Sequence, residues 1–416
     1  MIRQTVAHVD LGAIEENLRA ISSFLSRAAA AAPEPRTSDV GPRTSTPATA
    51  KPPRVIAVVK ANAYGHGAGE VALALERAGA AMLACADIEE GIVLRRAGVR
   101  VPILVFGALG ISDLDGVFEY DLTPTISTPM AAQHLEEAAA RHQKRPAASA
   151  FRRNEFHDRS KLRCHLKIDT GMNRLGFRHD NLGQTLPAIA RSEHLAIDGV
   201  YTHFATADDP EHPAFGEQRE RFEAALARLP ELGIHPRFRH AANSAALLRD
   251  ERVWYDYVRP GLLLYGIVPP PLAATIPLRP ALSLHSRIVH VKGTRAGEGT
   301  GYGLHSVSDA PRTIAIVPAG YADGLDRRMA GRASMLVRGK RVPVVGSVCM
   351  DMTMIDVTGL DVAPGDEVVI VGAQGEAEIG MREIAASIGT IPYELLCRVG
   401  TRIERQYEAD DRGDSR

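Results

Sequence analysis

RVIAVVKANAYGHG, residues 54–67, is the stretch on which the fold turns. VIAVV (55–59) is a short apolar run rich in β-branched residues, the composition of a strand buried on both faces. It ends at Lys60 and a glycine-rich tail, and the helix-like EVALALERAG (70–79) follows. Strand, polar end and helix make one unit of a parallel β/α architecture. Similar runs recur at ILVF (103–106), HLKI (165–168) and GVYTHF (199–204). Helix-like stretches lie between them: DIEEGIVLRRAG (87–98), PMAAQHLEEAAARH (129–142) and FGEQRERFEAALARL (215–229). Roughly eight such units fit between Arg54 and Pro270, the number that closes a (β/α)8 barrel. A doubly wound open sheet is the competing architecture, but no G-x-G-x-x-G follows the first strand.

Outside this region the texture changes. Residues 2–9 (IRQTVAHV) alternate like a strand, and Asp10 is placed to cap a helix carrying Ile14, Leu18 and Ile21. Residues 28–53 are Ala, Pro, Ser and Thr with little to bury, which predicts a disordered surface insertion. A second, basic insertion is expected at 143–161. Beyond residue 280, LSLHSRIVHVKG, RTIAIVPAGYADG, SMLVRGKRVPVVGSVCMDMTMIDV and DEVVIVG alternate with period two between glycine and aspartate turns. That texture predicts a mostly antiparallel domain. A helix near MREIAASIG (381–389) and a frayed tail, EADDRGDSR, close the chain. The expected fold is α/β: a TIM-type barrel over 11–275 and a mostly β domain built from 1–10 and 276–416.

Composition narrows the function. The 416 residues carry 49 Lys+Arg against 50 Asp+Glu, so bulk positive charge is not available to hold nucleic acid. No run of about 20 apolar residues is present to span a bilayer, and no signal-peptide-like run opens the chain. Cys85, Cys164, Cys349 and Cys397 lie far apart, form no C-x-x-C, and suit a reducing compartment. The expectation is a soluble, cytoplasmic, two-domain protein with no metal site, nucleic-acid partner or membrane partner.

Polar residues gather at the predicted C-terminal ends of strands, where a barrel builds its active site. Lys60 ends the first, and a lysine there can form an imine with a carbonyl. KIDTGMNRLG places Lys167 and Asp169 on one side of a strand, with Arg174 in the following turn. THFATAD puts His203 at another strand end. In AANSAA, Asn243 and Ser244 fall where a helix starts, a position suited to phosphate. VRPGLLLYG supplies Arg259 and then the backbone N–H groups of Gly261 and Leu262. Taken singly, His203 reads as a core histidine, Arg259 as a salt-bridge partner and Ser244 as a helix cap. Their recurrence at strand ends favours a site.

These segments also resemble a family. VVKANAYGHG, KIDTGMNRLG, THFATAD, ANSAA, RPGLLLYG, GYADG and CMDM occur in the order found in the alanine racemases, fold-type III enzymes dependent on pyridoxal 5′-phosphate. The resemblance runs from VDL (9–11) to Arg405, apart from the two insertions. It implies that Lys60 binds the cofactor covalently and that Tyr64, Asn243, Ser244, Gly261, Leu262 and Tyr393 surround it, mostly at the phosphate. It also implies that Arg259 faces the pyridine nitrogen, supported by His203, and that Arg174 approaches the phenolic oxygen. Tyr302 would be the second base, Met350 and Asp351 would border the substrate carboxylate, and Lys167 matches a lysine that family members often carry carbamylated. A homodimer with shared sites follows by the same resemblance, and so does a role in supplying D-alanine for peptidoglycan. Alternatives kept open are a serine or broad-specificity racemase, a fold-type III decarboxylase and a non-catalytic pyridoxal-phosphate homeostasis protein. The last lacks a β-rich second domain, and with it the counterparts of Tyr302 and CMD.

Overall fold

The computed structural model describes residues 4–31, 51–109, 114–143 and 161–408. After β1 (Val6–Asp10) come β2 (Arg54–Val58), β3 (Met82–Cys85), β4 (Ile103–Val105), β5 (Thr123–Ile126), β6 (Leu162–Asp169), β7 (Phe177–Arg178), β8 (Leu195–Tyr201), β9 (Phe238–Asn243) and β10 (Tyr257–Arg259). β2 to β6 and β8 to β10 run parallel in ring order, and β10 returns to β2, so eight strands close a barrel. β7 pairs with the C-terminal end of β6, outside the ring. Residues 55–58 of β2 and all of β3 and β4 are buried, as expected for strands covered by side chains inside and helices outside.

The second half is β11 (Leu282–Arg287), β12 (His290–Thr294), β13 (Arg312–Val317), β14 (Ser334–Val337), β15 (Lys340–Val345), β16 (Thr353–Asp356), β17 (Glu367–Gln374), β18 (Ala377–Ile379) and β19 (Glu404–Glu408). Apart from β19, these strands pair antiparallel with one another. β1 inserts among them, antiparallel to β11 and parallel to β19, with Val6 opposite both His285 and Glu404. Asp10 does cap the helix Leu11–Ala31: its Oδ1 accepts from Ala13 N–H at 2.7 Å. The chain thus passes directly from the β domain into the barrel.

Three boundaries differ from the sequence reading. Residues 28–31, expected to open the first insertion, continue the helix Leu11–Ala31, because alanine is the strongest helix former and Ala28 still packs against the core. The second insertion is bounded more tightly. Gln143 ends the helix Pro129–Gln143, and Lys161 donates from Nζ to Ser192 O at 2.7 Å just before β6. Glu408, read as the start of a frayed tail, ends β19 and pairs with His8 at 3.1 Å. The remainders of those expectations, residues 32–50, 144–160 and 409–416, lie outside the described residues. None of the described helices is long and apolar enough to cross a membrane.

Candidate active site at the barrel mouth

All the strand-end residues lie at one end of the barrel. Lys60 follows β2, Lys167 and Asp169 end β6, His203 follows β8, Asn243 ends β9 and Arg259 ends β10. Parallel strands send their C-terminal ends to the same face, so topology alone gathers them.

The connection after Lys60 is strained. Ala61, Asn62, Ala63 and Tyr64 form a left-handed helical turn, with φ of 54°, 54°, 55° and 51°. Left-handed geometry costs L-residues roughly 1–2 kcal/mol each, so the surroundings must hold this turn in place. Asn62 Oδ1 accepts from Ala68 N–H at 2.8 Å, and Ala61 N–H donates to Glu90 Oε1 at 2.7 Å. Arg405, on β19, donates to Gly65 O at 2.9 Å. His66 sets Nδ1 against Ala63 O and Tyr64 O at 3.0 and 2.9 Å, so Nδ1 carries the proton. The turn delivers Tyr64 into a buried aromatic group, 5.0 Å from the Tyr265 ring and 6.0 Å from Tyr393.

Tyr64 leans on Gly261. A Cβ built there would lie 2.4 Å from Tyr64 Oη, so only glycine admits the hydroxyl at that distance. Gly261 N–H donates to Ser244 Oγ at 2.9 Å. The Ser244–Arg249 helix does begin at Ser244, but its cap is Asn243, whose Oδ1 accepts from Ala246 N–H at 2.9 Å. Ser244 Oγ is thereby left to face Gly261 and Tyr64.

Arg259 is buried, and among the described residues no carboxylate pairs with it. Its guanidinium donates to Thr202 O and Ala241 O, both at 2.8 Å, to His203 Nδ1 at 3.2 Å and to His240 Nδ1 at 3.0 Å. Arginine only donates, so each of those imidazole nitrogens must accept. His240 then carries its proton on Nε2 and donates to His165 Nδ1 at 2.9 Å. The chain ends at His165 Nε2, which is buried with no partner among the described residues. Burial and the Arg259 charge hold His203 and His240 well below the usual imidazole range, and burial takes His165 to about 4. All three are neutral at pH 7. Burial also lowers Arg259, to about 10.

Two lysines share the mouth. Lys60 reaches solvent, yet the surrounding protein withdraws enough water from its ammonium to lower its pKa, and Arg174 lowers it further. Lys167 is buried, 5.7 Å above the Tyr201 ring, and desolvation followed by the charges of Arg174 and Arg259 brings it to about 8. Arg174 itself is exposed. Asp169 shapes the loop carrying Arg174, its Oδ1 accepting from Gly171 and Asn173 N–H.

Tyr302, Met350 and Asp351 are not brought to this mouth within one chain. They lie on the β domain, and among the described residues no hydrogen bond, ion pair or ring contact joins them to the barrel residues above. Tyr302 is 76% exposed and Met350 52%. Tyr302 sits in a turn between Gly301 and Gly303, both at positive φ, and its carbonyl accepts from Ser347 Oγ at 2.8 Å. GYADG acquires a structural role here. Tyr321 and Ala322 N–H donate to Cys349 O and Met350 O, each at 3.0 Å, and fix the CMD segment. Asp351 pairs with Arg402 at 2.6 Å.

Sequence reasoning missed His165, His240 and Glu90. His165 sits two residues before Lys167 and shares its strand face, a signal available from period two. Gly199 marks the same spot, since a Cβ there would come within 2.7 Å of the His165 ring.

A closed parallel barrel with a strand-end lysine, joined to a β domain, defines a two-domain barrel enzyme with its site at the C-terminal face. The family profiles described as "Alanine racemase, N-terminal domain" and "Alanine racemase, C-terminal domain" match residues 45–269 and 281–407. An alanine racemase from Symbiobacterium thermophilum is 40% identical over 98% of this chain and 97% of its own length. Alanine racemase 1 of Bacillus subtilis is 38% identical over 97% and 93%. Among solved structures, the alanine racemase of D-cycloserine-producing Streptomyces lavendulae superposes with a TM-score of 0.85 at 32% identity, covering 98% of each chain. That of Bacillus anthracis, solved with bound L-Ala-P, gives 0.81 at 34%, covering 99% of this chain and 96% of that one. The chain belongs to the alanine racemase family.

Proposed function

We propose that the chain is an alanine racemase that interconverts L- and D-alanine with pyridoxal phosphate at the barrel mouth and two bases on opposite faces of the substrate. The observation that carries this reading is the pairing of a strand-end lysine of lowered basicity with a buried arginine that only neutral acceptors hold. The residues present fit the cofactor. Arg259 is a buried cation lacking an anionic partner among the described residues, and the Tyr64 and Ser244 hydroxyls, which converge on Gly261, make a polar cluster of the kind that holds a phosphate. Tyr64, Ser244, Gly261, Leu262 and Tyr393 would hold that phosphate. Asn243 contributes through the helix it caps.

Pyridoxal phosphate bound there would supply a conjugated ring able to take up the electron pair left by a departing Cα proton. Lys60 would hold the cofactor and, as a free amine, would take or return that proton at Nζ. Its lowered pKa enlarges the neutral fraction available at physiological pH. Neutral His203 and His240 keep Arg259 in line, and as a donor that does not give up its proton Arg259 would hold the ring nitrogen unprotonated. Arg174, Met350 and Asp351 would receive the carboxylate and phenolic oxygens. Lys167, at about 8, has enough neutral amine to add carbon dioxide, releasing a proton and forming a carbamate that would pair with Arg174.

Tyr302 Oη serves the other face, from a second copy of the chain. The exposed apolar side chains Tyr302, Leu304, Val307, Met350 and Met352 support this, for they form a surface that a partner would cover. We place the domain boundary at 275/276 and the enzyme in the cytoplasm, where its free cysteines stay reduced. The test is direct. Protein reconstituted with pyridoxal phosphate converts L-alanine to a mixture of both enantiomers, and Lys60→Ala does not. Protein that neither takes up the cofactor nor forms D-alanine overturns the reading.

A further inference from the structure

Asp87-Ile88-Glu89-Glu90 opens the helix Ile88–Arg96 with the spacing of a capping box. Asp87 behaves as a cap should, its Oδ1 accepting from Glu90 N–H at 2.8 Å. Glu90 does not complete the box. Its carboxylate bypasses the Asp87 N–H and divides itself: Oε2 accepts from Ala86 N–H and Oε1 from Ala61 N–H, both at 2.7 Å. Ala61 is the residue after Lys60 and the first of the left-handed turn. A single half-buried carboxylate therefore ties the end of β3 to the strained backbone that presents Lys60, through two charge-assisted hydrogen bonds.

We propose that Glu90 is a positioning residue: it clamps the Lys60–Tyr64 turn and so fixes where the Lys60 amine meets the reacting carbon. The proposal deepens the racemase reading and rests on it. Other contacts hold the later part of the turn, where Asn62 caps Ala68 and His66 and Arg405 hold the carbonyls of Ala63, Tyr64 and Gly65. Among the described residues, Glu90 alone holds the N–H of Ala61, nearest the lysine. Its negative charge also acts on Lys60. Burial and then Arg174 lower the proton affinity of that amine, Cys397 and Glu90 act against them by raising it, and Lys167 lies in the same field. Removing the Glu90 charge moves the titration of Lys60 downward, an effect that loss of helix capping alone would not produce.

The experiment uses the full chain and the variants Glu90→Gln and Glu90→Ala, with Lys60→Ala as background. Imine formation between cofactor-free protein and added pyridoxal phosphate is followed by absorbance across pH, and alanine kinetics are measured after loading. Both variants are expected to shift the pH profile of imine formation to lower pH. Glu90→Ala is expected to lose about tenfold or more in kcat, the scale of one charged hydrogen bond, with KM changed far less. Glu90→Gln, nearly isosteric and able to offer Ala61 one acceptor, recovers part of that loss. A pH profile that coincides with the parent's, or kcat within twofold in Glu90→Ala, overturns the proposal. Should the parent chain fail to racemise alanine, the functional reading falls, while the imine-formation profile still decides the effect of Glu90 on Lys60.

Discussion

Gly261→Ala examines the cofactor cradle through a single methyl group. The added Cβ would sit 2.4 Å from Tyr64 Oη and 3.0 Å from its Cζ, where ordinary contact begins near 3.4 Å. The hydroxyl must retreat by about 1 Å, because overpacking in a dense interior is relieved only by displacement. Tyr64 has little room to do so. Its backbone is fixed in the left-handed turn, and its ring packs against those of Tyr265 and Tyr393, 5.0 and 6.0 Å away. The expected cost is about 1–3 kcal/mol, seen as pyridoxal phosphate affinity weakened about 5- to 150-fold at 1.4 kcal/mol per tenfold. The assay is absorbance titration of cofactor-free protein in a double-mutant cycle with Tyr64→Phe, which removes the clashing oxygen. In the Tyr64→Phe background the alanine should cost at least about 1 kcal/mol less, a coupling typical of residues in contact. Additive losses across the cycle would refute the steric argument.

Three further outcomes follow from the same geometry. His66 and His165 are fully buried and titrate at about 4. The unfolded chain binds their protons from about 6.5 downward, so stability is full above 6.5 and is lost as pH falls to 4, by up to about 3 kcal/mol apiece. Urea titrations between those pH values would show this, and a flat profile would contradict it. Lys167 acts in the same direction at higher pH, in carbon-dioxide-free buffer. Its charge is retained unfavourably below about 8 and shed above it, so Lys167→Met stabilises at pH 7 by up to about 3 kcal/mol and loses that advantage as pH rises toward 10.4. Denaturation midpoints at pH 7 and 10 decide the point. Leu304, 63% exposed beside Tyr302, should lie under the partner copy. Leu304→Glu is expected to yield monomers by sedimentation with activity lost, whereas an active parent-like dimer would remove the surface from the interface.

The barrel was legible because its strands are local: VIAVV ending in Lys60 carries its own signal, and parallel order does the rest. The left-handed turn was not, since Ala-Asn-Ala-Tyr has no intrinsic preference for positive φ and contacts from Glu90, His66 and Arg405 impose it. β19 escaped notice for a similar reason. Its partner, β1, lies some 400 residues earlier, and alternation in one strand does not name its neighbour. The position of Arg259 could be read from a strand end, but its relay through His240 to His165 depends on three strands meeting inside the barrel. Residues 28–31 misled because an alanine run suits both a solvated loop and the last turn of a helix.

The central claim is that Lys60 of one chain and Tyr302 of another act on opposite faces of one alanine. Mixing Lys60→Ala with Tyr302→Phe, unfolding and refolding them together, tests it most directly. Each variant alone is expected to be inactive. Random reassociation at equal amounts makes half the dimers mixed, each with one intact site, so about a quarter of parental racemase activity should return. A mixture as inactive as its components, with dimers formed, would contradict the account.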